Sequence, residues 1–351
     1  MNDAPPAYDL PDAIADEAQL DDFLSRPTGD VVDALRRLEG DLAVVGGGGK
    51  IGPSLATMAC RARDAAGGGG KVFVIDRFPD ESVRERLAAA GAKPIACDLF
   101  DSSAVGSLPD AANVIYMVGM KFGTSAAPAA TWAVNALLPA AVAERYRDAR
   151  IVAFSTGCVY ALTRAGSPGS VETDPLEPIG EYANGCVARE RIFEFLAARH
   201  GTAVVQVRLN YAVEMRYGVL VDLAEAIAAG EPVDLTMGHF NCIWQGDVNA
   251  AVLRLLEHAA RPPLAINLTG ADKLSVRRVA ARLGERIGKP VVFSGVEADT
   301  ALLSDASRAF RLLGEPPTPI DRVIDWTADW IARGRPTLGK PTHFQARDGR
   351  Y

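Results

Sequence analysis

The chain has 351 residues, 48% of them hydrophobic and 23% charged, which is enough to bury one large core or two smaller ones. A net charge of −7 gives no electrostatic reason to expect nucleic acid or an anionic membrane as a partner. No run approaches the ~20 apolar residues of a membrane span, and the acidic N-terminus lacks the apolar segment of a secretory signal. Five scattered cysteines without CxxC spacing and four unpaired histidines predict a reduced, cytoplasmic protein with no bound metal.

Residues 1–40 are predicted to form an N-terminal helical extension. Stretches 15–24 and 28–38 have the composition of short helices, and Val31, Val32, Leu35 and Leu38 share one face of the second. We expect both helices to pack on the outside of the main domain.

From residue 41 onward, short β-branched runs alternate with amphipathic stretches. Nearly continuous apolar runs predict buried parallel strands at 42–45, 71–75, 94–97, 113–117, 151–154 and 203–208. Helices are predicted between them, the main ones at 53–65, 131–147 and 182–200. This alternation is typical of an α/β fold, a Rossmann-type doubly wound parallel sheet, over residues 41–210.

After residue 210 the alternation loosens. Helices predicted at 219–229, 245–258, 275–288 and 305–313 suggest a small C-terminal α/β lobe, residues 211–333, that binds mainly substrate. Residues 334–351 are polar and rich in Pro and Gly, which predicts an extended tail over the surface.

The strongest motif is the glycine-rich turn that follows the first strand, in VVGGGGKIG. Gly46 permits a tight turn, Gly49 lets backbone N–H groups approach a pyrophosphate, and Gly52 lets the next helix pack on the strand. Lys50 and Ile51 lie within the same turn and are counted with it. A flexible turn without a ligand is the alternative.

The second strand supports the dinucleotide interpretation. It ends at Asp76, about 24 residues after the last glycine, where a carboxylate accepts the ribose hydroxyls. Asp76 would repel a 2′-phosphate and therefore favours NAD over NADP, whereas the adjacent Arg77 could reverse that preference.

Together with later segments, these motifs resemble the extended short-chain dehydrogenases/reductases of the NAD-dependent epimerase/dehydratase family over residues 41–333. The matching segments are ACDLFD, VIYMVGM, WAVNALLPA, IVAFSTGCVYA and EYANGCVARERIFEF. The resemblance implies further cofactor contacts at Asp98, Leu99, Met117, Val118, Gly119, Asn135 and Ser155. It also implies that Thr156 and Tyr182 bind the reacting oxygen, with Tyr182 as acid/base.

The chain departs from this family at one position, because Cys186 stands where the YxxxK motif has its lysine. A thiol cannot supply the positive charge that helps a phenol with a pKa near 10 to ionise. Three hypotheses follow: another cation substitutes; Tyr182 stays protonated or a different base acts; or catalysis is lost.

Lys121, just after the fourth strand, is the candidate substitute cation, although it could equally be a solvated loop lysine. Cys186 could itself be a nucleophile or redox group, but no histidine is near it in sequence and a buried structural thiol is more common.

Candidate substrate residues follow the sixth strand and occupy the segment MGHFNCIWQGD. They are Asn210, Arg216, Tyr217, His239 and Trp244. Asn210 aligns with the family only if one residue is missing, and His239 is either a pocket acid/base or a polar loop residue. Residues 237–247 contain no Lys or Arg, and a diphosphate needs fixed cations, so a free sugar or sugar acid is favoured over a nucleotide sugar.

The resemblance thus implies an NAD-dependent oxidoreductase or epimerase that acts on a hydroxyl or carbonyl of a sugar-like substrate. A catalytically silent NAD-binding regulator or scaffold is the alternative. In this family the helices predicted at 131–147 and 182–200 pair across a two-fold axis, which implies a homodimer, unless both are simply buried against the sheet.

Overall fold

The computed structural model describes residues 10–124 and 126–350. In those ranges the strands are β1 (Leu42–Val45), β2 (Val72–Asp76), β3 (Lys93–Ala96), β4 (Asn113–Tyr116), β5 (Arg150–Thr156), β6 (Thr163–Arg164), β7 (Ala203–Leu209), β8 (Ala212–Val213), β9 (Val233–Asp234), β10 (His239–Phe240), β11 (Ile243–Trp244), β12 (Leu264–Leu268), β13 (Leu274–Ser275), β14 (Phe293–Ser294) and β15 (Thr300–Ala301).

The helices of the same ranges are α1 (Glu17–Leu24), α2 (Gly29–Arg37), α3 (Gly52–Ala65), α4 (Glu81–Ala89), α5 (Ser102–Gly106), α6 (Pro128–Trp132), α7 (Leu138–Arg145), α8 (Gly180–His200), α9 (Val219–Ala229), α10 (Gln245–Leu255), α11 (Val276–Ile287), α12 (Ser307–Leu313) and α13 (Ile320–Ala332). A π-helical segment, Ala133–Leu137, joins α6 to α7. Short 3₁₀ turns cover Gly157–Val159 and Leu256–His258.

Seven strands form one parallel sheet in the order β3-β2-β1-β4-β5-β7-β12. The order reverses at β1, which pairs with β2 on one side and with β4 on the other. All four residues of β1 and of β4 are buried because helices cover both faces of the sheet. The predicted Rossmann-type α/β fold is confirmed.

The six predicted strands match the structure to within two residues at each end. The seventh strand, β12, was not predicted. Its sequence LAINL carries a buried polar residue, Asn267, and follows two prolines, so it lacks the continuous apolar run that marked the others. β12 pairs along its whole length with β7.

Two apolar clusters sandwich the sheet and a third fills the C-terminal lobe. The first includes Val44, Leu55 and Val74, and the second includes Val45, Tyr116 and Phe193. The third is built mainly from α9, α11 and α13, together with α1.

The N-terminal extension is part of two cores. α1 inserts Leu20, Phe23 and Leu24 into the cluster of the C-terminal lobe, where Phe23 meets Trp326 with ring centroids 6.3 Å apart. α2 places Val31 and Leu35 in the cluster that covers the sheet. The extension therefore joins the sheet to the lobe through buried apolar surface.

Residues 334–350, which belong to the predicted tail, contain no helix or strand. The tail is nonetheless anchored, since Thr342 and Phe344 are buried. Leu338 N donates to Arg216 O at 2.9 Å, and Arg347 Nη1 donates to Thr300 O at 2.7 Å. It runs along the C-terminal lobe toward the carboxyl edge of the sheet.

Candidate active site

The glycine turn between β1 and α3 lets backbone atoms approach one another, and a ligand, closely. Gly46 has φ +84°, which favours glycine, and its N–H donates to Ile75 O at 2.7 Å. A Cβ at Gly52 would lie 2.3 Å from Gly47 O, so only glycine lets α3 begin there. A Cβ at Gly49 would meet only Gly46 O, at 3.7 Å, and Gly49 is exposed. Gly49 therefore offers an open approach to backbone N–H groups beside the N-terminus of a 14-residue helix.

Asp76, at the end of β2, faces this turn. Its Oδ2 accepts from Gly48 N at 3.0 Å, and its Oδ1 accepts from Arg77 N at 2.7 Å. Each carboxylate oxygen retains acceptor capacity, so Asp76 can also take ribose hydroxyls. Arg77 is exposed.

The other predicted cofactor residues follow the ends of β3, β4 and β5. Asp98 is exposed, and Leu99 beside it is buried. Val118 packs on the glycine turn, since a Cβ at Gly46 would lie 2.8 Å from Val118 N. Met117, like Val118, is half-buried, while Gly119 is exposed. Ser155 differs from the prediction, because its hydroxyl donates to the buried Glu190 at 2.5 Å and is used inside the fold.

Thr156, Tyr182 and Cys186 are connected by hydrogen bonds. The Tyr182 hydroxyl bonds to the Thr156 side chain and to the Cys186 thiol. Thr156 Oγ1 also accepts from Cys158 N at 3.2 Å. The chain thus brings the two predicted oxygen-binding side chains together at the carboxyl end of β5.

The electrostatics of this group oppose ionisation of the phenol. Burial raises the pKa of Tyr182 well above its usual range, and the thiols of Cys186 and Cys158 raise it further. Arg189 and the Thr156 hydrogen bond oppose these effects. Burial raises the pKa of Cys186 to about 11, so that thiol stays neutral near pH 7.

Arg189 is a buried cation that the sequence analysis missed. One turn beyond Cys186 on α8, it donates to Phe154 O at 2.8 Å and to the Asn135 side chain. Asn135 in turn bonds both backbone groups of Met120, at 3.0 and 3.1 Å. Asn135, predicted to bind cofactor, therefore fixes the loop after β4 from inside the fold. Arg189 follows Tyr182 by seven residues, two turns of the same helix, and this spacing is the signal that could have revealed it.

Lys121 lies in the loop after β4. Its Nζ donates to Thr342 O of the tail at 3.3 Å. Burial lowers the pKa of Lys121, while Cys158, Asp222 and Cys186 raise it. Lys121 is therefore not a fully solvated lysine, and it shares Cys158 and Cys186 as neighbours with Tyr182.

Lys50, Tyr217 and the tail meet beside this group. Lys50 Nζ lies 3.3 Å from the centre of the Tyr217 ring and 4.5 Å from that of Phe122. Phe122 also contacts His343 of the tail, with centroids 6.5 Å apart. Neither Phe122 nor the approach of the tail to this site was predicted, because neither belongs to a motif.

Two predicted substrate residues are corrected by the structure. Arg216 forms salt bridges with Glu17, Asp21 and Glu214, so its charge is already balanced in linking α1 to the lobe. Trp244 is 2% exposed and packs edge-on against Trp326 at 5.6 Å. Trp244 is thus part of the buried core, and the half-buried Arg216 links α1 to the C-terminal lobe.

The remaining two substrate predictions fall in different places. Asn210 is buried close to Gly157 and donates to Asn241 Oδ1 at 2.8 Å. His239 lies on β10, opposite Ser275 of β13, and its Nδ1 is buried without a hydrogen-bond partner among the described residues.

Over residues 10–124 and 126–350, no three His, Cys, Asp or Glu side chains are grouped as a metal site. Within the same residues, no helix combines the length and apolar character of a membrane span.

The sheet order, the glycine turn with Asp76 and the Thr156–Tyr182 pair define a Rossmann-type protein of the extended short-chain dehydrogenase/reductase class. The model of the "NAD dependent epimerase/dehydratase family" matches residues 42–268. The chain belongs to this family.

Solved structures of similar fold include epimerases. A UDP-glucose 4-epimerase from Thermotoga maritima, with UDP-glucose, has a TM-score of 0.69 at 20% identity over 84% of this chain and 99% of its own. A UDP-glucuronic acid 4-epimerase from Bacillus cereus, in complex with a fluorinated UDP-glucuronic acid and NAD, has a TM-score of 0.69 at 16% identity over 84% and 99%. An epimerase from Methanothermobacter thermautotrophicus has a TM-score of 0.69 at 18% identity over 88% and 99%. A comparison with curated proteins gave no match.

Proposed function

We propose that the protein is an NAD-dependent oxidoreductase or epimerase that acts on a hydroxyl or carbonyl of a sugar-like substrate. The observation that carries this proposal is the hydrogen-bonded pair of Thr156 and Tyr182 at the carboxyl end of β5, at the same edge of the parallel sheet as the glycine turn. In an open α/β sheet, ligands bind at that edge, where the strand order reverses.

The residues present suit a dinucleotide. The open backbone at Gly49 and the N-terminus of α3 would hold its pyrophosphate, and Asp76 would accept its ribose hydroxyls. Because Asp76 is an anion at the ribose, we favour NAD over NADP. The bound nicotinamide supplies a hydride donor or acceptor.

Thr156 and Tyr182 would act together on the substrate oxygen. Thr156 would orient that oxygen by a hydrogen bond, while Tyr182 gives a proton to a carbonyl or takes one from a hydroxyl. The raised pKa of Tyr182 means that the free enzyme carries the phenol at neutral pH. Proton donation is then the easier direction, and proton removal needs a nearby cation.

Lys121 is the proposed substitute for the missing lysine, with Arg189 as a second, fixed positive charge. Arg189 already lowers the pKa of Tyr182 from inside the fold. Lys121 lies near the two thiols that flank the phenol, on a loop held by the tail. A cation there favours the ionised phenol.

The sugar-like substrate is inferred from the family, and a free sugar or sugar acid is favoured. The segment 237–247 lacks Lys and Arg, and Arg216 is occupied by three carboxylates. The segment therefore has no cation for a nucleotide diphosphate, and Arg216 is already paired and not available to bind one.

We further propose a homodimer in a reducing, cytoplasmic setting. Leu137, on the π-helical segment before α7, is 64% exposed, and Phe195, on α8, is 66% exposed. These elements correspond to the helices that pair in the resembling family. All five cysteines are thiols, and four of them are buried.

Tyr182→Phe removes only the hydroxyl and tests the proposed chemistry. Turnover of any sugar or sugar acid that reduces NAD should fall by about 10³-fold or more, since proton transfer and orientation are both lost. Lys121→Met should move the rise of activity to higher pH, because removing a cation raises the pKa of Tyr182. Both effects are measured from nicotinamide absorbance across pH.

Tyr146→Phe is the matched control, since Tyr146 is a buried tyrosine that bonds Pro109 O beneath the sheet. It should leave turnover unchanged. If Tyr182→Phe keeps full turnover, the proposed chemistry is wrong. If no substrate turns over while NAD binds normally, the silent regulator or scaffold is the better description.

A further inference from the structure

Three lysines from distant parts of the sequence converge where the glycine turn, the loop after β4 and the tail meet. Lys50 comes from the turn, Lys121 from the loop and Lys340 from the tail. Lys50 Nζ and Lys121 Nζ lie 4.5 and 5.6 Å from the centre of the same Phe122 ring. Lys340 is close enough for its charge to act on Lys50. We call these three residues the lysine cluster.

The cluster brings like charges together at a partly buried place. Burial, followed by the charges of Lys340 and Lys121, lowers the pKa of Lys50 to about 7. Among the described residues, no carboxylate is within salt-bridge distance of Lys50. Lys50 is therefore only partly protonated near pH 7, and an anion bound beside it would favour its charged form.

The two nearest acidic groups have other partners. Asp222 accepts from Thr342 N at 2.8 Å and also from the Thr342 hydroxyl. Glu214 is 3.2 Å from Arg216 in a salt bridge. Both raise the pKa of Lys50 from a distance without neutralising it directly.

Aromatic rings contact two of the three lysines, Lys50 and Lys121. Tyr217 lies against Lys50 at 3.3 Å, and the Tyr211 ring centre is 5.9 Å from Lys121 Nζ. Tyr211 lies between β7 and β8, and Tyr217 lies between β8 and α9. Apolar rings exclude water, so an ion pair formed between them is stronger than one at the open surface.

We propose that the lysine cluster is a subsite for an anionic group on the substrate, either a carboxylate or a phosphate monoester. This proposal rests on the proposed function, in that the anion belongs to the sugar-like substrate. The other anion that the cluster could bind is the pyrophosphate of the cofactor, because Lys50 lies in the glycine turn. Lys121 and Lys340 come from the loop and the tail, which favours the substrate.

Calorimetry on the full chain saturated with NAD tests the subsite directly. The probes are glucuronate, glucose 6-phosphate and neutral glucose. The two anions should bind at least about tenfold more tightly than glucose, since each adds a charge-assisted contact. Equal binding of all three sugars overturns the proposal.

Lys340→Ala and Lys50→Met should each weaken glucuronate or glucose 6-phosphate binding by about tenfold and leave glucose binding as it was. Lys289→Ala, at an exposed lysine of the C-terminal lobe, is the matched control and should change nothing. Full anion affinity in both cluster variants also overturns the proposal. Circular dichroism of each variant confirms that it folds.

Titration of NAD into the same variants separates the two sources. Unchanged NAD affinity in Lys340→Ala, with weaker anion binding, supports a substrate subsite. Weaker NAD binding with unchanged anion binding assigns the cluster to the pyrophosphate and overturns the proposal. These assays measure binding and need no turnover. Their outcome therefore does not depend on whether the proposed reaction of Thr156 and Tyr182 takes place.

Discussion

At the residue scale, the glycines of the first turn have separate physical roles. Gly52 is required by packing, because its Cβ would lie 2.3 Å from a backbone oxygen that cannot move freely. Gly49 has no such neighbour and matters only if a ligand approaches it. The same substitution at the two positions therefore separates folding from binding.

Gly52→Ala should destabilise the protein by about 2 kcal/mol or more, since it forces backbone atoms apart. Gly49→Ala should change stability by less than about 0.5 kcal/mol but reduce NAD affinity by about tenfold or more, a loss of about 1.4 kcal/mol. Urea unfolding and calorimetry measure the two effects. Normal NAD affinity in Gly49→Ala would show that the phosphates of NAD do not lie against this residue.

The resemblance to the family implied the roles of Thr156 and Tyr182 and the replacement at Cys186, because these residues align with segments of that family. Charges outside motifs were harder to assign. Arg216 resembled a substrate ligand, yet it forms salt bridges with two carboxylates of α1 and with Glu214, which lies between β8 and α9. A side chain's partners depend on packing that its own segment does not specify.

At the scale of elements, the bounds of the strands with continuous apolar runs were predicted to within two residues, whereas β12 was not predicted. The N-terminal helix α1 was predicted as an outer attachment, and it proves to supply core residues to the C-terminal lobe. Leu20 is fully buried there. Its short amphipathic sequence could not indicate which surface it would cover.

Leu20→Ala tests this role of α1 and should cost about 2 to 5 kcal/mol of unfolding free energy, because a buried leucine leaves a cavity. Leu312→Ala on α12 makes the same chemical change at a residue that is 38% exposed, and it should cost about 1 kcal/mol or less. Denaturant unfolding compares the two. Equal costs would mean that α1 contributes little to the lobe.

At the scale of the whole molecule, an exposed apolar face remains on the helices beside the site. Leu137 and Phe195 are the most exposed large apolar residues of those helices. Contiguous exposed apolar surface commonly marks an interface between proteins. This supports the proposed dimer.

Phe195→Glu should convert a dimer to a monomer, since an unpaired charge would be buried at the interface. Val296→Glu places the same charge at a residue of the C-terminal lobe that is 83% exposed, and it should leave the dimer intact. Light scattering after size-exclusion chromatography gives the mass of each. A wild-type protein with the mass of a monomer would contradict the proposed dimer.

The sequence by itself determined the parallel sheet and the glycine turn, since local apolar runs and glycine spacing specify them, and the Thr156–Tyr182 pair was implied by the resemblance to a known family. Only the tertiary structure placed Trp244 in a core and brought Lys50, Lys121 and Lys340 together. These residues lie far apart in the chain, and their proximity depends on how the tail and the loops fold over the sheet edge. Long-range packing leaves no periodic signal in the sequence around each residue, which is why the lysine cluster could not be predicted.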